Sequence, residues 1–171
     1  MLFPVFSLLS LSLASLGIAQ PNMARPSPMP TSSMSPMSNQ TTGHAVVINE
    51  CTHAIYLWSV SSTMGSQITL APQENYTEVF HHDDQSGGVS LKVTTVKDGL
   101  YNSAPQTVFA YNLVDRNVWY DLSDVFGDPF QGHLVTLLPS EPAINWEDGV
   151  PPAGSQVRIQ DAATDLALTV C

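Results

Sequence analysis

The chain has 171 residues with 15 acidic against 5 basic side chains, a formal net charge of −10 with histidine neutral. A surface this acidic repels nucleic-acid phosphates and anionic lipids, which argues against both as partners. Two cysteines, Cys51 and Cys171, allow at most one disulfide bridge.

Taken in chain order, residues 1–19 read as a secretory signal peptide. Val5 to Leu16 form an apolar run broken only by serines, and Gly17-Ile18-Ala19 supplies the small residues a signal peptidase needs before Gln20. The run is too short to cross about 30 Å of hydrocarbon, so no membrane span is expected. Residues 20–43 are rich in proline, serine, threonine and methionine and poor in β-branched and aromatic residues. Such a composition buries too little apolar surface to offset chain entropy, which predicts a disordered tail. Residues 44–171 are expected to form a single domain, and all 15 acidic residues fall in it beside only Lys92, Lys97, Arg116 and Arg158.

The texture of 44–171 is β. HAVVIN, AIYLWSV, SQITL, NYTEVF, VSLKVTTV, TVFAYNLV, NVWYDL, HLVTLL, QVRIQ and LALTV are short runs rich in Val, Ile, Thr and aromatics. Clusters such as APQE, DDQSGG, KDG, GDPF and PSEP punctuate them as turns. In Val89–Val93, apolar Val89, Leu91 and Val93 alternate with Ser90 and Lys92, the period of a half-buried strand. No window carries a sustained helical stripe. About ten strands at this spacing predict an all-β sandwich or barrel. Pro139 to Gly154 reads as a surface loop, with Trp146 at its centre.

In a chain bound for an oxidising compartment, Cys51 and Cys171 are expected to pair; the alternative is two free thiols. A bridge between them would close a loop of more than 100 residues, for which loop-entropy reasoning gives about 4.7 kcal/mol. Asn39-Gln40-Thr41 and Asn75-Tyr76-Thr77 satisfy the N-glycosylation sequon, the first in the tail and the second at the start of a strand.

Ala45-Val46-Val47-Ile48-Asn49-Glu50-Cys51 resembles the opening strand of thaumatin-like proteins, and Ile55-Tyr56-Leu57-Trp58 their second strand with its aromatic-Trp pair. Trp119-Tyr120-Asp121-Leu122-Ser123 is similar to the Y-D-[LIV]-S segment of that family, and a glycine turn follows at Gly127. Gly87 to Val93 and the terminal Leu166 to Cys171 fit the smaller fungal branch, the blastomyces yeast-phase-specific or antigenic thaumatin-like proteins. The resemblance implies a β-sandwich core, secretion and a bridge from the first cysteine to the last. Plant thaumatin-like proteins carry many more disulfides, so the loops those bridges support are expected to be short or absent here.

Some members of the superfamily bind or hydrolyse β-1,3-glucan in an acidic cleft. Asp121 matches the cleft aspartate, but the next family acid falls at Phe126 and a family glutamate falls near Ala110. Asp124 and Asp128 flank the vacant position. Glycoside hydrolysis needs two carboxylates in separate roles, so the thinned cleft favours binding over catalysis. The expectation is therefore a secreted, non-enzymatic protein at the fungal surface that contacts cell-wall β-glucan or a host molecule, without a cofactor. Asp121, Asp124, Asp128 and Trp146 are the candidate ligand-binding residues; Trp58 and Tyr56 are expected in the core. A weak endo-β-1,3-glucanase using Asp121 with Asp124 or Asp128 is the alternative. A second alternative is a metal held by His81, His82, Asp83 and Asp84, whose alternate residues share a side in an extended chain. The simpler account of those four residues is a solvated loop. No G-x-S-x-G elbow or phosphate-cradling loop is present.

Overall fold

The computed structural model describes residues 41–171; the expected signal peptide, the tail as far as residue 40 and the Asn39 sequon lie outside the described residues. Eleven strands and no helix occur among the described residues. In chain order they are β1 (His44–Asn49), β2 (Ile55–Val60), β3 (Ile68–Leu70), β4 (Asn75–Val79), β5 (Val89–Thr94) and β6 (Gln106–Val114). β7 (Asn117–Val125), β8 (Val135–Leu138), β9 (Ile144–Trp146), β10 (Arg158–Asp161) and β11 (Leu166–Val170) follow. Ten of them fall on the ten runs read from the sequence.

The strands form two sheets. The back sheet has the order β4-β1-β11-β8-β9 and the front sheet β10-β7-β6-β5-β2-β3. Neighbours are antiparallel except β1 and β11, which run parallel from Ala45 beside Leu166 to Asn49 beside Val170. The alternation in sequence determines which side chains lie between the sheets. Ala45 and Val47 from β1, Val89, Leu91 and Val93 from β5, and Leu166, Leu168 and Val170 from β11 are buried there.

Two devices close the domain at its ends. Cys51, just past β1, is bridged to Cys171, just past β11, with the Cα atoms 4.9 Å apart. The bridge reinforces the parallel β1–β11 pair, which no hairpin could link. Asn49 is fully buried; its amide donates to the carbonyls of His53 (3.0 Å) and Leu70 (2.9 Å) and accepts from the Cys51 N–H (3.0 Å). The N-x-C segment thus fastens the first turn to β3. Gly43, grouped with the tail by composition, is already docked. Its N–H donates to Ala162 O (2.7 Å), and a Cβ there would meet the Thr164 carbonyl carbon at 2.9 Å.

Two expectations need correction. Trp146 is not on a surface loop. It is the last residue of β9, faces inward beside Val135 and is 2% exposed. A strand of three residues between prolines is too short to show alternation in sequence, yet its pairing with β8 buries both Ile144 and Trp146. Trp58 is buried as expected, but not between the sheets. It pairs with Lys92 on the outward-facing set of the front sheet, and the 95–105 loop covers it, with the Tyr101 ring edge-on at 6.1 Å. Tyr56, on the same outward set, is only half-buried.

Candidate functional site

The outward face of the front sheet carries the site. Register aligns its side chains in rows across the strands. Val60, Ser90, Ala110 and Asp121 form one row, from β2 through β5 and β6 to β7. Asn112, Trp119 and Ile159 form the next, from β6 through β7 to β10. Ser90 and Ala110 are short, so the middle of the first row is a depression between taller neighbours. A groove of about 460 Å³ occupies it. Gly88 floors one end: a Cβ there would meet Tyr111 O at 2.8 Å, so a glycine is needed for this close approach. Lys92 reaches the groove from the β5 side, and Trp119, 48% exposed, stands as the opposite wall with exposed Ile159 beside it.

Ala110 is the position at which the resemblance placed a family glutamate. Here it sits directly between Ser90 and Asp121. The missing carboxylate is therefore replaced by open floor, which turns an acidic cluster into a trough with one carboxylate, one ammonium and an aromatic wall.

Asp124 is three residues beyond Asp121, and the two-residue period of a strand puts them on opposite faces of β7. Asp121 faces the groove. Asp124 turns toward the inner side, where its Oδ1 accepts a hydrogen bond from the buried Thr107 hydroxyl (2.6 Å) and its Oδ2 is buried without a protein partner. Burial, and then the neighbouring Asp128 carboxyl, push the Asp124 carboxyl up to about 7, against the Thr107 hydrogen bond that lowers it. At mildly acidic pH Asp124 is thus a neutral acid. Phe126, at the vacant acid position, is an exposed turn residue with φ of 64°. A second hollow of about 300 Å³ lies beyond Asp121, walled by Asp124 and by Pro151, Pro152 and Gln156 of the segment before β10.

The four residues of the His-His-Asp-Asp segment are turned to separate tasks. His81 Nδ1 lies 3.1 Å from both the Val79 carbonyl and the Tyr111 hydroxyl. His82 Nδ1 meets Asn112 Oδ1 at 2.9 Å, and its Nε2 is 3.7 Å from Asp84. Asp83 caps its own turn by accepting from the Gln85 and Ser86 N–H groups, and it binds the Ser62 hydroxyl (2.6 Å). These hydrogen bonds hold the Asp83 carboxyl well below the usual carboxylate range. Among the described residues no three His, Cys, Asp or Glu side chains are grouped to hold a metal ion. Asn75 opens β4, an edge strand of the back sheet, with its side chain exposed on the face opposite the groove.

Sequence reasoning selected Trp146 over Trp119, and the structure reverses that order. The signal was present: Trp119 and Asp121 are two residues apart in a strand, so strand parity puts them on one face.

A stack of two sheets, antiparallel but for the β1–β11 pair inside the back sheet, with a groove across the front, defines a thaumatin-like sandwich in a reduced form. The chain belongs to the Blastomyces yeast-phase-specific protein family, whose sequence model matches residues 32–171. It is 36% identical over 112 residues to an antigenic thaumatin-like protein of Arthroderma benhamiae, covering 63% of this chain and 55% of that one. It is 28% identical over 90 residues to the secreted thaumatin-like protein calA of Emericella nidulans, covering 53% and 50%. The chain thus spans about half the length of these relatives. The crystal structure of the protein elicitor MoHrip2 from Magnaporthe oryzae superposes with a TM-score of 0.62 at 23% identity, over 75% of this chain and 98% of that one, which establishes the shared fold. Among the described residues no helix is long and apolar enough to cross a membrane.

Proposed function

We propose that this chain is a secreted, non-catalytic carbohydrate-binding protein that takes a strand of cell-wall β-1,3-glucan in the front-sheet groove. The observation that carries the reading is the exposed Trp119 wall beside Asp121 and Asn112, over a floor of Ser90 and Ala110. An exposed aromatic face suits the apolar face of a sugar ring, while carboxylate, amide and hydroxyl groups bond its edges. Secretion is supported by the apolar leader, the disulfide and the names of the fungal relatives.

The test is co-sedimentation with insoluble β-1,3-glucan, using chitin and cellulose as controls. Retention on the glucan that falls with Trp119→Ala and with Asp121→Asn supports the reading. Retention on none of the three polymers discards it and turns attention to a host molecule.

A second reading, weak endo-glucanase activity, draws on Asp124, a carboxyl that keeps its proton to about pH 7. Against it, Asp121 and Asp124 face opposite sides of β7. Release of reducing ends from soluble glucan near pH 5, abolished by Asp124→Asn while binding persists, would support it. No release by the unmodified protein sets it aside.

A further inference from the structure

The groove and the second hollow are not separate features. Asp121 and Val157 line both, so the two meet end to end along the β7–β10 margin of the front sheet. Val157 immediately precedes β10, and the β7–β10 register, with Arg158 opposite Tyr120, brings it level with Asp121. Asp121 therefore stands at a saddle, with Trp119 on one side and Gln156 on the other. The far hollow differs from the near one. Its wall is the segment 151–156, which opens on Pro151-Pro152, and Ser123, Ser155 and Gln156 are the polar residues that line it besides the aspartates. At about 460 and 300 Å³, each hollow falls within or at the low end of the size range of small-molecule sites, but neither alone has the length of a polymer.

We infer that the ligand is a linear, uncharged polysaccharide chain that runs through both hollows, crossing at Asp121, with its far units held against Gln156 and the 151–156 wall. The inference rests on the carbohydrate reading above and adds the ligand's length and direction. The net charge of −10 and the carboxylate at the saddle disfavour an anionic polymer. Lys92 in the near hollow disfavours a polycation. The path lies over side chains on a sheet face, where the strands' backbone groups are already paired. Recognition must then come from ring faces and hydroxyl groups rather than from strand addition.

The experiment is a fluorescence or calorimetric titration of the full chain with linear β-1,3-gluco-oligosaccharides of increasing length, from two units upward. Affinity is expected to rise with length until both hollows are filled and then to level off. Gln156→Ala is expected to weaken the long oligosaccharides about fivefold, the loss of one hydrogen bond, and to leave the shortest binder unchanged. Trp119→Ala is expected to weaken every length. An affinity that is flat from the shortest binder upward, or a Gln156→Ala loss equal at all lengths, overturns the continuous track and leaves the single-groove reading standing. Absence of binding at every length overturns both.

Discussion

Asp124 shows how a single side chain acquires chemistry from its position. In sequence it is a candidate only because it flanks the vacant acid position at Phe126, and nothing in its neighbours marks it as buried. The fold places it on the inner parity of β7 beside Thr107 and Asp128, and burial raises its carboxyl to about 7. The folded state therefore holds a proton that the unfolded chain releases near pH 4. Its contribution to stability is fully present below that value and is lost as pH rises through about 7. Thermal unfolding across pH 4 to 8 should show a falling melting temperature, and Asp124→Asn should flatten that fall. An unchanged slope in the variant would mean that another group titrates. Asp165 works in the opposite sense at lower pH. The His44 ring and N–H, at 2.9 and 2.8 Å, hold its carboxyl below the ordinary range, so that contribution is lost as pH falls in the acid region. Trp119 carries the second residue-scale prediction. Trp58 and Trp146 are buried and Trp119 is about half exposed, so acrylamide should quench roughly one third of the tryptophan emission. Trp119→Phe should remove the quenchable fraction.

At the scale of elements, the two sheets are latched at the β4 side. Tyr76 OH donates to Glu78 Oε2 (2.6 Å), and Tyr111 OH, from the front sheet, donates to Glu78 Oε1. Phe80 and His81 pack edge-on against the Tyr111 ring at 5.2 and 5.9 Å. Glu78 thus joins an edge strand of one sheet to a central strand of the other. Burial and the Glu78 carboxylate raise both phenols far above the ordinary tyrosine range. Tyr111→Phe should cost about 1.5–3 kcal/mol in urea unfolding, the value of a hydrogen bond to a charged group. Glu78→Ala should cost more, since it removes the carboxylate that accepts from both phenol hydroxyls. A cost near zero for both would show that the latch adds nothing to packing. The turn after β9 depends on Gly149. Its φ is 63°, and a Cβ there would lie 2.1 Å from Phe130 O. Gly149→Ala should destabilise by more than the roughly 1–2 kcal/mol of left-handed strain alone, because backbone must also move. Strand identity was legible at this scale wherever a run exceeded four residues, as in β5, β6 and β7. β9 was not, because its three residues lie in a proline-rich stretch that reads as loop and lack the Ile-Thr-Leu run that marked the equally short β3.

For the whole molecule, the disulfide is the largest single constraint on the unfolded chain. Cys51 and Cys171 are 120 positions apart, and the loop-entropy model gives about 4.7 kcal/mol for a loop near 100 residues. Paired Cys51→Ala and Cys171→Ala substitution should lower the urea midpoint without changing the oligosaccharide-length profile, because the bridge lies at the β1–β11 end and contributes no groove residue. A changed profile would mean that the bridge shapes the groove. The sequence by itself determined the all-β class, ten of the eleven strands and the cysteine pair. These follow from local periodicity, turn chemistry and arithmetic, all of which act over a few residues or need no geometry. The resemblance of the Y-D-x-S segment singled out Asp121 as a candidate, and the structure places it in the front-sheet groove. Only the tertiary structure decided that Trp119 rather than Trp146 faces outward and that Trp58 lies under a loop instead of between the sheets. It also decided that Asp121 and Asp124 face opposite sides of β7 and that two hollows meet at Asp121. Each of these depends on which strands become neighbours and in what register, and pairings between residues tens of positions apart leave no periodic trace in the chain.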